Sequence, residues 1–245
     1  MSLILHALAA SDPGLVRSNN EDVAFAGSRL VAVADGMGGA PAGEVASDIV
    51  IRALAPVEHA GTDAEPLAAL VDAIDTANRR IRETTDADPE TEGMGTTVTA
   101  VLLHRDRLVL AHVGDSRGYL LRAGTLRQLT RDDTYVQALV DQGGLTPAEA
   151  RRHPQRSLVT RAVQGSPLHP ATIALTAEPG DRLLLCSDGL SDVVADEAIG
   201  QVLGTQPDRG QCAKELIMLA QQAGAPDNVT LVVADVVEAG TADPR

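Results

Sequence analysis

Two aliphatic segments, 96–103 and 108–113, are joined by only four residues, 104–107. A parallel return needs a crossover of a dozen or more residues, so these segments must pair antiparallel. The segment 119–122 runs into Ala123 and Gly124, again too short for a crossover and suited to a hairpin. Similar runs at 30–34, 182–186 and 229–237 are mostly bounded by Gly, Asp or Asn and read as further strands. Helical spacing of apolar residues occurs at 42–54, 66–85, 134–142, 146–152, 197–203 and 208–223. Thr146, Pro147 and Glu149 open the fourth of these as a capping box with proline at the first helical position. Helices come in pairs between groups of strands rather than alternating with single strands. The order predicts an α+β chain with antiparallel sheets and helices packed outside them.

No internal repeat, low-complexity tract or long linker divides the 245 residues, which predicts one domain over 1–240 with a loose tail at 241–245. Residues 131–164 are polar and broken by glycine between strong strand groups, and read as an excursion of the kind that lies over active sites. The formal charge is −14, and the only aromatic rings of Phe, Tyr or Trp are Phe25, Tyr119 and Tyr135. A nucleic-acid binder needs clustered Lys and Arg, and for single strands aromatic platforms, so that class is excluded and the core must be aliphatic. No apolar stretch approaches the roughly 20 residues of a membrane helix, and residues 1–10 lack the start of a secretory signal. The expectation is a cytoplasmic monomer with no membrane segment in this chain. Cys186 and Cys212 are too few for a disulfide scaffold or a zinc site and are expected as buried thiols.

Chemistry is signalled where aliphatic strands run into aspartate. Residues 30–34 lead to Asp35 and Gly36, and residues 183–187 lead to Asp188 and Gly189. The run 108–113 leads through Gly114 to Asp115, while Asp227 and Asn228 precede the run 229–233. Singly, each Asp–Gly pair is an ordinary turn. Together, four carboxylates gathered at one end of a sheet would raise one another's pKa unless cations supplied the missing charge. All-oxygen ligation without Cys or His suits Mg²⁺ or Mn²⁺ rather than zinc or copper. Gly36, lacking a side chain, could turn its carbonyl toward a metal beside Asp35. Two such ions would hold a hydroxide between them and neutralise an attacked phosphoester. Arg17 is the candidate phosphate fork, with Glu21 and Asp22 as acceptors orienting metal-bound water.

At these residues the chain resembles the metal-dependent protein phosphatase family, the type 2C Ser/Thr phosphatases, in its compact bacterial form. The resemblance rests on six ordered blocks at 17–22, 35–39, 95–97, 113–117, 187–190 and 227–230, spread over nearly the whole chain. It implies a sandwich of two antiparallel β-sheets flanked by helices, in α-β-β-α layers, with a binuclear Mn²⁺ or Mg²⁺ site at one end. By that resemblance Asp35 is the bridging ligand, Gly36 the carbonyl ligand, and Asp188 and Asp227 complete the core site. Arg17 binds phosphate, and Glu21 and Asp22 contact metal-bound water. Asp115 joins Asp188 in holding a third, weaker ion, and Ser157 in the flap, 131–164, offers it a carbonyl. The implied activity is hydrolysis of phosphoserine and phosphothreonine in proteins without a phosphoenzyme, and the implied partner is a cognate Ser/Thr kinase. Many eukaryotic members carry a histidine after the Asp–Gly pair, thought to protonate the leaving alcohol; here that place is Met37. Metal-bound water or His153 of the flap would then supply the proton.

Three other readings compete. Gly114, Asp115, Ser116, Arg117 and Gly118 fit the pentapeptide of a serine hydrolase with Ser116 as nucleophile, but a strand follows and no histidine occurs after His169. Gly36, Gly38, Gly39 and Gly43 suggest a dinucleotide loop whose spacing fails at Pro41. A catalytically silent module that binds phosphoprotein and regulates a partner is the remaining alternative.

Overall fold

The computed structural model describes residues 2–39, 42–60 and 65–241. Most of the expected tail lies outside them. In chain order the strands and helices begin with β1 (Leu3–Asp12), β2 (Asp22–Ala26), β3 (Leu30–Met37), α1 (Ala42–Leu54) and α2 (Pro66–Ala87). There follow β4 (Gly95–Thr96), β5 (Val98–His104), β6 (Arg107–Val113), β7 (Arg117–Arg122) and β8 (Thr125–Gln128). The excursion carries α3 (Tyr135–Asp141) and α4 (Pro147–Ala150). The chain closes with β9 (Ala171–Thr176), β10 (Arg182–Cys186), α5 (Asp188–Ser191), α6 (Asp196–Thr205), α7 (Arg209–Gln222) and β11 (Val229–Glu238).

The strands form two antiparallel sheets, one ordered β1-β11-β10-β7-β8 and the other β2-β3-β5-β6-β9 with β4 on β3. Both short connections behave as their length requires: β5 pairs with β6, and β7 with β8, antiparallel. The central strands read as unbroken apolar runs because both of their faces are covered. Along β3, Leu30, Ala32 and Ala34 pack under α1 and α2, whereas Val31 and Val33 join Leu5, Val101, Leu183 and Val232 between the sheets. The outer face of the other sheet carries Tyr119, Leu184, Leu231 and Val233 against α6 and α7 residues such as Ile199, Cys212 and Leu216. The result is the α-β-β-α sandwich with an aliphatic core, and both cysteines are free and buried.

Two sequence boundaries move. The run 96–103 divides into β4 and β5, and Asp35 lies within β3 rather than beyond its end. Four strands carried no clear sequence signal: β1, β2, β8 and β9. The capping box of α4 is present, with Thr146 Oγ1 accepting from Glu149 N–H and Glu149 Oε2 accepting from Thr146 N–H at 2.8 Å. No helix of the described residues is long and apolar enough to cross a membrane.

The excursion 131–164 is fastened at both roots. Asp133 N–H donates to the carbonyl of Gly114 (2.7 Å), and Thr160 N–H donates to the carbonyl of Asp133 (2.8 Å). Farther out, Arg151 pairs with Asp196 at 3.0 Å and Arg156 with Asp192 at 3.4 Å. These pairs set the excursion over one end of the sandwich.

Candidate functional site

At that end a cavity of about 240 Å³ is lined by Arg17, Glu21, Asp35, Gly36, Asp115, Ser157, Asp188 and Asp227, among others. Each reaches it from a different element. Asp35 is on β3, its N–H donating to Thr97 Oγ1 (3.0 Å) and its carbonyl accepting from Thr97 N–H (2.9 Å) and Thr96 Oγ1 (2.8 Å). Asp115 sits in the corner where the chain leaves one sheet for the other. That corner turns at Gly114, whose φ of +105° and contact with Thr97 leave no room for a side chain. Asp188 opens α5, and Asp227 precedes β11.

Asn228 assembles the N-terminal loop around this end. Its Oδ1 accepts from Glu21 N–H at 2.9 Å, and its Nδ2 donates to the carbonyls of Pro13 (3.0 Å) and Asn19 (2.8 Å). The loop thereby holds Arg17, whose guanidinium donates to Asp227 Oδ2 at 2.7 Å while its side chain stays 53% exposed. Gly36 has a use beyond the free carbonyl expected of it, since a Cβ there would overlap the carbonyl oxygen of Gly43 at the start of α1. Its small size lets helix and strand meet beside the carboxylates.

The electrostatics are one-sided. Asp35 and Asp188 are half-buried, open to the cavity but set deep in the protein, and their pKa values are pushed well above the ordinary carboxylate range. Burial is the first cause. The second is neighbouring charge: Asp22, Asp188, Asp115 and Asp227 act on Asp35, and Asp115, Asp192, Asp227 and Asp22 act on Asp188. Burial, with Asp132 and Asp192, raises Asp115 to about 7. Among the described residues, the only cationic side chain lining the cavity is Arg17, already engaged with Asp227. A cation would relieve this repulsion, and the donors are all oxygen, so the residues fit hard ions such as Mg²⁺ or Mn²⁺. Among the described residues no three of His, Cys, Asp or Glu close round a single point by themselves. Such an ion would therefore keep water among its ligands, as Mg²⁺ does.

Of the residues singled out in the sequence, Arg17, Glu21, Asp35, Gly36, Asp115, Ser157, Asp188 and Asp227 come together here. Asp22 does not line the cavity. It pairs with Asp35 across β2 and β3, and its Oδ2 accepts from Ser187 Oγ at 2.8 Å. Burial raises its pKa to about 6, against the lowering effect of the Ser187 bond. His153 does not line the cavity either; its ring lies 6.3 Å from that of Tyr135, and its Nδ1 accepts from Gln155 N–H. Ser116 is fully buried, shares a 2.7 Å hydrogen bond with Thr97 Oγ1, and leads into β7 rather than a helix. The hydrolase reading fails on that burial. The dinucleotide reading fails because the strands flanking β3 are antiparallel; Pro41 lies outside the described residues.

Sequence reasoning gave no role to Asn19, Ser187 or Asp192. Asn19 Nδ2 donates to Glu21 Oε1 at 2.7 Å, and Asp192 Oδ2 accepts from Ser157 Oγ at 3.4 Å. The spacing of Asp188 and Asp192 on one helical face was the signal available for the last of these.

A sequence profile of the protein phosphatase 2C family matches residues 18–221. The chain belongs to the protein phosphatase 2C family. It is 53% identical over 238 residues to the serine/threonine protein phosphatase PstP of Mycobacterium tuberculosis, a match covering 97% of this chain and 46% of the relative. The chain thus spans about half the length of that 2C-family relative. A crystal structure of the M. tuberculosis PstP phosphatase superposes with a TM-score of 0.93 at 53% identity, covering 96% of this chain and all of that one. A PstP catalytic domain crystallised in complex with two manganese ions gives a TM-score of 0.91 at 51% identity, covering 97% of this chain and all of that one.

Proposed function

We propose that this chain is the catalytic domain of a Mn²⁺- or Mg²⁺-dependent Ser/Thr protein phosphatase, with residues 1–240 as one domain and 131–164 as its flap. The observation that carries the reading is the convergence of Asp35, Asp115, Asp188 and Asp227 on one cavity with a single exposed arginine at its rim. In this reading Asp35, the Gly36 carbonyl, Asp188 and Asp227 hold two ions. Asp115, Asp188 and the Ser157 carbonyl hold a third, and Glu21 orients bound water with Asp22 acting from behind Asp35. When bound, the ions supply a nucleophile made from water at neutral pH and neutralise charge on the phosphoryl oxygens. Arg17 offers its free edge to two of those oxygens while Asp227 fixes its direction. Met37, in the cavity wall, has no proton to give, so water protonates the leaving serine or threonine oxygen. The substrates are phosphoproteins, and the opposing activity is a Ser/Thr kinase. The two free, buried thiols suit a reducing compartment such as the cytoplasm.

Phosphate release from a phosphothreonine peptide, followed with Mn²⁺, with Mg²⁺ and with EDTA, tests this. Release is expected with either ion and not with chelator. Release that EDTA leaves untouched would contradict the metal assignment. Ion binding without release would point to a silent binding module.

A further inference from the structure

A second recess, of about 340 Å³, opens where the C-terminal half of α2 meets residues 165–169. The loop is held to the helix by a reciprocal pair: Gly165 N–H donates to Asn78 Oδ1 and Asn78 Nδ2 donates to the Ser166 carbonyl, each at 2.7 Å. Arg79, Arg82 and His169 line the recess, with Asp75 among them and Pro167 and Leu168 as its apolar part. Arg79, Arg80 and Arg82 are exposed, and no carboxylate of the described residues lies within ion-pairing distance of them. Three arginines without an ion pair stand within four consecutive positions, Arg79 donating only to Thr76 Oγ1 (3.2 Å), and they outnumber the flanking Asp75 and Glu83 on a chain of net charge −14.

A run of packed residues links the recess to the carboxylate cavity, although the two share no lining residue. Gly38 lines that cavity, and a Cβ built on it would stand 3.1 Å from Met94 Cα. A Cβ on Gly95, the next residue, would stand 3.2 Å from Gln164 Cβ, one residue before the loop. Beneath this rim Val163 and Thr96 exchange backbone hydrogen bonds of 2.9 and 3.1 Å, and Thr96 Oγ1 bonds the Asp35 carbonyl at 2.8 Å. The rim amounts to about five residue steps of about 4 Å, roughly 20 Å, which about six extended residues would span.

We infer that the Arg79–Arg82–His169 recess is an exosite for an acidic segment, bearing carboxylates or a further phosphate, of the phosphoprotein whose phosphoresidue enters the Asp35 cavity; this rests on the phosphatase reading. Arginine forks bind carboxylate and phosphate in two-pronged fashion. On a chain of net charge −14, a recess lined by two exposed arginines favours acidic segments at that place and in one orientation. The exosite selects among substrates by the sequence around the phosphoresidue and takes no part in the chemistry.

Steady-state kinetics of the wild type and the double variant Arg79→Ala/Arg82→Ala test this on four substrates. They are p-nitrophenyl phosphate and three phosphothreonine peptides carrying, about six residues away, a Glu/Asp cluster, the matching Gln/Asn cluster, or a phosphoserine. The double variant is expected to raise KM roughly tenfold on the acidic peptide with kcat unchanged, and to leave the neutral peptide and p-nitrophenyl phosphate as in the wild type. The effect should fade in high salt. A comparable rise on the phosphoserine peptide would extend the exosite to phosphate; a rise only on the carboxylate peptide would restrict it to carboxylates. An unchanged KM on both charged peptides, or an equal rise on the neutral one, overturns the proposal. If the wild type releases phosphate from none of the four, the phosphatase reading fails. Calorimetric binding of the acidic peptide, lost or kept in the double variant, then decides the exosite separately.

Discussion

The two ends of β3 meet the same physical problem, a carboxylate held away from bulk water, and resolve it in opposite ways. At the Leu30 end, Glu58 is buried but accepts from Ser28 N–H and Oγ (both 2.8 Å), Arg29 N–H (3.1 Å) and Leu30 N–H (2.7 Å). Burial alone would raise its pKa, yet these donors outweigh burial and hold it below the usual value. At the other end Asp35 faces Asp22, Asp115, Asp188 and Asp227, and its pKa is driven up by burial and by those charges. An acid whose charge is answered by backbone N–H groups and a hydroxyl is structural. One whose neighbours repeat its own charge marks a place built for a cation.

Three substitutions sharpen this contrast. The largest effect belongs to Asp35→Asn, expected to cut metal-dependent turnover about a thousandfold, because several kcal/mol of charge stabilisation depend on the ions it helps hold. Unfolding of this variant should remain cooperative, so near-wild-type phosphate release would break the assignment. Next is Glu58→Gln, which places an amide against donors that now meet a carboxylate. Urea unfolding should show a loss of about 2 kcal/mol at pH 7, with phosphate release per folded molecule unchanged. The pH sign follows from the depressed pKa: the Glu58 contribution is complete above its unfolded pKa and lost as pH falls through the lower folded value. The wild type and Glu58→Gln should therefore converge below about pH 4. A difference that persists there would remove the hydrogen-bond explanation. The smallest effect is that of Ser116→Ala, which deletes one buried hydroxyl bond. About 1 kcal/mol of stability should go and kcat should stay within about twofold. Loss of activity without loss of fold would restore Ser116 as a nucleophile.

Opposite pH behaviour is expected from the cavity acids when metal is removed. With folded pKa values of about 6 for Asp22 and about 7 for Asp115, the native state binds more protons than the unfolded chain near neutrality. Stability in EDTA should therefore rise as pH falls from 8 to 5, the reverse of the Glu58 contribution.

What the sequence made legible divides along the same physical lines. The strands read from their apolar runs, β3, β5, β6, β7, β10 and β11, occupy the interior of the sheets, where both faces are covered and the run is continuous. The four that passed unread are the edges: β1 and β8 of one sheet, β2 and β9 of the other. An edge strand such as β9 is half to fully exposed along its length, so its composition carries little apolar signal. In the candidate site, the aspartates were visible because each stands at a margin of an aliphatic run. Asn228 and Ser187 were not, since their roles lie in hydrogen bonds to residues far away in the chain, such as Asn228 to Pro13 and Glu21 and Ser187 to Asp22. Glu58 was silent for the same reason, its partners being backbone N–H groups some 28 to 30 residues away.

The most direct test of the central claim, that the acids around Asp35 form a deliberately unanswered charge, is the melting temperature of the wild type and Asp35→Asn in EDTA and in Mn²⁺ at pH 7. In EDTA the variant should melt above the wild type, because one repelling carboxylate has gone. Mn²⁺ should raise the wild type and shift the variant far less, since only a site that binds the ion gains stability from it. A variant that melts below the wild type in EDTA, with both proteins answering Mn²⁺ equally, would show that Asp35 is a structural acid and that the metal centre lies elsewhere.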